Sequence, residues 1–268
     1  MTEAGEVVLY EVEEGIAEIT LNRPDALNAW TPELGNAYFD RLEEADVDER
    51  VRVIIVTGAG RGFCAGADLD HLRAVHEGRA TAGDDERPQG LPRSLRKPVV
   101  AAINGPCAGL GFVMALMCDL RFAAAGAKMT TAFARRGLVA EYGLAWILPR
   151  LVRPSRALDL LLSGRVFLAE EAERIGLVDR LCEPGAALTQ ARDYARELSR
   201  YSSPASMETM KRQVYDDLDR TFADAAAAAD EYMRESFERP DFREGVESFI
   251  ERREPEFRPL PSSVESAR

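Results

Sequence analysis

A chain of 268 residues, 46% hydrophobic and 30% charged, is long enough for one large domain and too apolar to be disordered. Its net charge of −12 speaks against a nucleic-acid partner, and its longest apolar run, 109–117, falls well short of a membrane span and is followed by Asp119. Four Cys without a C-x-x-C spacing and two His five apart suggest neither a disulfide framework nor a metal site, and acids where a secretory signal would be basic make a reducing cytoplasm the expected compartment.

The first 22 residues read as a β-hairpin, with alternating VVLYEVEEG and IAEITLN joined at Glu14-Gly15. Residues 23–29 (RPDALNA) form a loop. Thr31-Pro32-Glu33 supplies an N-cap and a Pro at the first helical position, so a helix should run to about Asp46 with Leu34, Tyr38 and Leu42 on one face. Residues 50–57 (RVRVIIVT) are a buried strand ending in the Gly-rich loop GAGRGFCAGADL. The polar stretch 71–94, broken by Gly and Pro, suits a weak helix and then a mobile loop.

Residues 97–104 (KPVVAAIN) repeat the pattern: a buried strand, glycines, then an apolar helix over 109–117. Residues 119–123 make a third short strand. Beyond Gly164 the sequence turns helical, over 168–175, 188–199, 204–219, 222–237 and 242–253. This divides the chain into a core, 1–195, and a helical region, 196–268, suited to an oligomer contact.

Two strand–glycine–helix junctions, 57–69 and 104–112, place glycines at the carboxyl end of a buried strand, where α/β sheets bind ligands. The first fails as a dinucleotide fingerprint, because Phe63 stands where a third Gly is required. A serine-hydrolase reading fails too. G-x-S-x-G is absent, and His71 and His76 share one exposed-looking segment, so both are read as surface residues.

FCAGADL (63–69), NGPCAGLGFVMALMCDLRFA (104–123), RRGLVAEYGLAWILPRLV (135–152) and LNRPDALNAW (21–30) together resemble the enoyl-CoA hydratase/isomerase, or crotonase, family. The resemblance covers about residues 8–258. It implies an α/β fold, a crotonase-like spiral of ββα units with a C-terminal helical trimerisation region. It also implies a homotrimer or hexamer and an acyl-CoA thioester of fatty-acid metabolism, with coenzyme A entering as part of the substrate and no separate cofactor or metal. The shared chemistry is an oxyanion hole for a thioester enolate, made by two backbone N–H groups. By motif position these are Ala67 and Leu110. Main-chain donors are well suited to such a hole. A preorganised donor is worth ~3 kcal/mol in comparable oxyanion holes, and Leu110 would open a helix whose dipole favours negative charge. Arg23, Ala26, Ala65, Gly66, Asp68, Leu69, Gly109, Phe133 and Leu138 are the matching substrate-binding positions.

The departures from the family pattern decide the reaction. Hydratases of the family carry two glutamates where this chain has Val113 and a residue at or near Phe133. The acid left in the motifs with a catalytic precedent is Glu141, near the apolar Leu138, Leu144 and Trp146, a setting that suits a general base. Asp68 and Asp119 are expected to fix loop and strand. Asp70 occupies a position where relatives place a base for a CoA phosphate, so Arg23, or else Lys211 or Arg252-Arg253 from a neighbouring subunit, would have to replace it. The leading expectation is double-bond isomerisation by one carboxylate. The alternatives are a hydratase or lyase with a substituted base, and a non-catalytic acyl-CoA-binding protein. Acyl-chain selection is expected to reside in 71–94.

Overall fold

The computed structural model describes residues 6–80 and 87–262. The hairpin forms as expected. β1 (Val8–Glu13) and β2 (Ile16–Leu21) pair antiparallel from Val8↔Leu21 to Glu13↔Ile16, with both turn residues, Glu14 and Gly15, at positive φ. From β2 the sheet continues in parallel through β3 (Val53–Gly58), β4 (Val99–Ile103), β6 (Leu120–Ala124) and β9 (Arg180–Cys182). A smaller sheet joins β5 (Cys107–Ala108), β7 (Lys128–Thr130) and β8 (Phe167–Leu168).

β3 and β4 are buried throughout because both faces of the sheet are covered. Ile54, Val56, Ala101 and Ile103 face the main core, into which α1 (Pro32–Val47) inserts Leu34, Tyr38, Phe39 and Leu42. Their alternating neighbours Val53, Ile55, Val100 and Ala102 face Ala187, Ala191 and Ala195 of α8 (Ala187–Tyr201). Small alanines let this helix lie close to the sheet. The expected boundary at residue 195 therefore falls inside a helix that packs on the core. The α1 cap is also as read: Thr31 Oγ1 accepts from the Leu34 N–H at 3.2 Å, and Pro32 opens the helix.

The segment after the first Gly-rich loop is a regular helix, α2 (Leu69–His76), capped by Asp68; part of the loop expected after it, 81–86, lies outside the described residues. A short α3 (Leu91–Ser94) precedes β4, and α4 (Leu110–Met117) is buried along its whole length. α5 (Leu144–Leu151) and α6 (Pro154–Ser163) occupy a stretch for which no element is expected from the sequence. The helix expected from Leu168 begins one residue later, as α7 (Ala169–Arg174), since Leu168 closes β8. α9 (Pro204–Asp216), α10 (Phe222–Glu238) and α11 (Pro240–Glu251) complete the helical end. Among the described residues, no helix is long and apolar enough to cross a membrane.

Candidate active site

The two Gly-rich junctions are laced together by main chain. Phe63 and Cys64 N–H groups both donate to Pro106 O at 3.1 Å, and Ala108 N–H donates to Cys64 O at 3.0 Å. Gly66, at φ +94°, tolerates no side chain: a carbon there would lie 2.9 Å from Ala108 O and 3.7 Å from Gly109 Cα. Gly109, at φ +50° and ψ −118°, sits in backbone space that L side chains rarely enter, and it is held by its own N–H to Thr130 O at 3.0 Å.

The amide orientations follow from this lacing. Trp30 forms a parallel bridge with Ala67, its N–H donating to Gly66 O at 2.8 Å and its C=O accepting from Asp68 N–H at 2.9 Å. In that pattern the residues flanking Ala67 face Trp30, so the Ala67 N–H points the other way. Leu110 is the first residue of α4, where an N–H has no partner within the helix. Neither N–H donates to an acceptor among the described residues. Ala67 is half-buried and Leu110 buried, so two unused amides lie on strands of chain that touch at Gly66 and Gly109.

The LNRPDALNAW segment braces the first loop. Buried Asn28, itself at φ +55°, donates through Nδ2 to Ala59 O at 3.0 Å and Gly62 O at 2.8 Å, and its Oδ1 accepts from the Arg23 N–H at 2.8 Å. This clamp is absent from the expected site residues, although Asn at positive φ is a recognisable turn choice. Ala65 N–H donates to Leu27 O at 3.0 Å. Arg23 pairs with Asp68 at 3.0 Å and also donates to Ala29 O, and Asp68 caps α2 by accepting from the Asp70 and His71 amides. Burial would raise the Asp68 carboxyl, but Arg23 and the two amides outweigh it and hold it below the ordinary carboxylate range. Ala26, in an exposed turn, and Leu69, 70% exposed, stand on the rim of this loop.

Asp119 proves structural, as expected. It accepts from Val99 N–H at 2.6 Å and Tyr215 Oη at 2.7 Å and pairs with Lys211 at 2.7 Å. Lys211 is therefore not available for a phosphate. Its ammonium is buried and donates to Pro92 O at 2.7 Å and Lys97 O at 2.9 Å, which corrects that expectation. Arg253 is likewise held by Glu244 and Glu251. The helix holding the second amide brings no acid to the site, for α4 reads LGFVMALM and Val113 is wholly buried. Phe133 is buried too.

Glu141 lies half-buried between a 3-10 turn at Ala134–Arg136 and α5, and its C=O accepts from Leu144 N–H at 2.9 Å. Tyr142 and Gly143 follow at φ +50° and +76°, so two consecutive left-handed residues turn the chain into α5. The neighbourhood is less apolar than expected. Leu144 is buried, but Leu138 is 50% exposed in the single chain, and the Trp146 ring carries Arg150 at 3.7 Å and Arg93 at 4.8 Å. Arg135 donates to Ser163 O at 2.8 Å. Of the cysteines beside the loops, Cys64 is pushed up to about 12 by burial and Cys107 well above its usual value, so neither is a thiolate nucleophile at neutral pH.

The family model described as Enoyl-CoA hydratase/isomerase matches residues 11–259. A 1,2-epoxyphenylacetyl-CoA isomerase from Escherichia coli is 33% identical over 259 residues, spanning 94% of this chain and 98% of its own length. The crystal structure of an enoyl-CoA hydratase from Mycobacterium marinum shows 52% identity and a TM-score of 0.69, covering 80% of this chain and 99% of that one. A putative enoyl-CoA hydratase from Streptomyces coelicolor, also a crystal structure, shows 34% identity and a TM-score of 0.87 over 96% of each chain.

Proposed function

This chain is an enzyme that belongs to the enoyl-CoA hydratase/isomerase family, and we propose that within it the reaction is migration of a double bond in an enoyl-CoA thioester by a single carboxylate. The thioester oxygen accepts from the Ala67 and Leu110 N–H groups. Glu141 takes a proton from the carbon next to the thioester carbonyl, and the electron pair moves onto that oxygen as an enolate. The enolate then collapses, the double bond shifts, and Glu141 returns the proton to the far carbon of the system. Atoms and oxidation state are conserved, so the step needs no electron carrier. The two amides act by preorganisation: fixed dipoles meet the charge as it develops.

The observation that carries this reading is the pairing of two unused amides at Gly66 and Gly109 with a helix, α4, that holds no acid. Adding water requires a group to hold the water as well as one to move the proton, and the Val113 position supplies none. The similarity to a protein named as an isomerase supports the reading, and the similarity to one named as a hydratase keeps water addition as the alternative. We also propose a trimer or hexamer, supported by apolar side chains on the C-terminal helices: Phe222, Phe249 and Ile250 are 89%, 84% and 72% exposed in the single chain.

The test is a panel of enoyl-CoA thioesters followed separately for double-bond migration and for water addition. Migration without a hydroxyacyl product is expected. A hydroxyacyl-CoA as the main product would establish the hydratase alternative, and binding without turnover would establish a non-catalytic acyl-CoA-binding protein.

A further inference from the structure

Behind the Glu141 turn lies an open cavity of about 420 Å³, lined by Arg93, Met117, Tyr142, Gly143, Trp146 and Tyr215 among others. Met117 ends the helix that Leu110 begins, so at 1.5 Å per residue this cavity lies ~10 Å along α4 from the second proposed oxyanion donor, a distance a medium-length acyl chain spans. On the thioester reading above, it lies at the right spacing along α4 to receive the far end of the acyl group.

The cavity presents a cation. Arg93 has its guanidinium between two aromatic faces, 4.8 Å from the Trp146 ring and 4.5 Å from the Tyr215 ring, and it pairs with no carboxylate among the described residues. A second guanidinium, Arg150, covers Trp146 at 3.7 Å. The acid on the cavity wall, Asp216, is engaged by Arg220 at 3.5 Å.

The sandwich is rigid for reasons deep in the core. The Tyr215 hydroxyl is fixed by Asp119, and Asp119 is fixed by Lys211 and the Val99 amide. Lys211 also holds Pro92 O, the carbonyl of the residue before Arg93. About half of the other arginines in the described residues are paired with acids. Arg93, like Arg150, Arg180 and Arg212, lies over aromatic rings instead, and among the described residues the Arg93 N–H fork meets no acceptor. Of these four only Arg93 and Arg180 lie over two rings, and only Arg93 lines this cavity, where it can meet a planar anion.

We propose that Arg93 is a specificity-determining residue that binds a carboxylate at the far end of the acyl chain. The preferred substrate class is then an enoyl-CoA whose acyl group ends in an acid. A fork held in place by stacking loses little side-chain freedom when it pairs, and partial burial strengthens the charge-assisted bond.

The experiment measures kcat/KM for a medium-chain enoyl-CoA and for the same thioester bearing a terminal carboxylate, with wild type, Arg93→Gln and Arg93→Lys, each checked by thermal melting. Wild type should prefer the carboxylated thioester, and Arg93→Gln should reduce that preference ratio ~10–100-fold, mainly through KM, as expected for one lost charge-assisted bond. Arg93→Lys keeps the charge and should keep part of the preference, and it carries the test should the Gln variant fail to fold. Turnover of the uncharged thioester with no wild-type preference, or variants that slow both thioesters alike, would overturn the inference alone. Turnover of neither thioester by folded wild type overturns it together with the isomerase reading.

Discussion

Gly66 and Gly109 face each other at the crossing of the two loops: a carbon added to Gly66 would lie 3.7 Å from Gly109 Cα, and one added to Gly109 would lie 3.8 Å from Gly66 Cα. They are 43 positions apart in the chain, and each directly precedes one of the two unused amides. The contact sets the spacing of those amides, because neither loop can move without displacing the other. Gly109→Ala forces an L side chain into φ +50°, ψ −118°, a strain of about 1–3 kcal/mol. We expect a folded protein with a lower melting temperature and kcat reduced ~10²–10³-fold, the scale of one lost oxyanion donor. Near wild-type turnover would place the thioester oxygen elsewhere.

Glu141→Gln keeps the shape of the side chain and removes its ability to take a proton. A general base contributes ~10²–10⁴-fold, so kcat should fall by that order with thioester affinity nearly unchanged. Stopped-flow turnover with parallel calorimetric titration separates the two quantities. A Gln variant that keeps pace with wild type would make Glu141 structural.

Asp68 gives a pH signature. Its carboxyl is depressed in the folded protein, so the stability it adds is complete above its unfolded value of about 3.9 and fades as pH falls through its lower, folded value. Asp68→Asn retains a capping side chain but loses the charge that pairs with Arg23. Denaturant melts should show the variant less stable than wild type at neutral pH, with the gap closing as the solution is acidified below the carboxylate range. A gap that is constant with pH would mean that the charge of Asp68 contributes nothing.

Lys211→Met tests the buried network. It leaves Asp119 charged and unpaired beside Tyr215 and frees Pro92 O and Lys97 O, so a destabilisation of about 3–5 kcal/mol is expected. Chemical denaturation measures it. Affinity for the thioester's phosphates should not be the main loss, since the ammonium is enclosed by its own chain. Light scattering on the wild-type protein tests the proposed assembly independently, and a monomer mass at micromolar concentration would count against a trimer or hexamer.

Local pattern was enough for much of this fold. The alternation of residues 7–21, the Thr31-Pro32 cap and the continuous apolar runs of β3 and β4 report short-range preference and burial, and each element formed where it was expected. The motifs around Gly66 and Gly109 were legible for the same reason, since positive φ and close backbone approach leave glycine almost no substitute. Tertiary structure decided the rest. Strands of two or three residues such as β5 and β8 have no period to detect, and α5 carries Pro149 in its interior, so only packing of Leu144 and Leu148 in the core settles it. The roles of Lys211 and Arg93 were equally out of reach. One is enclosed by Asp119 and Pro92, the other held between Trp146 and Tyr215, and these partners lie 53 to 122 residues away along the chain. A charged side chain is a ligand contact or a structural tie according to what surrounds it, and those surroundings exist only once distant segments have packed together.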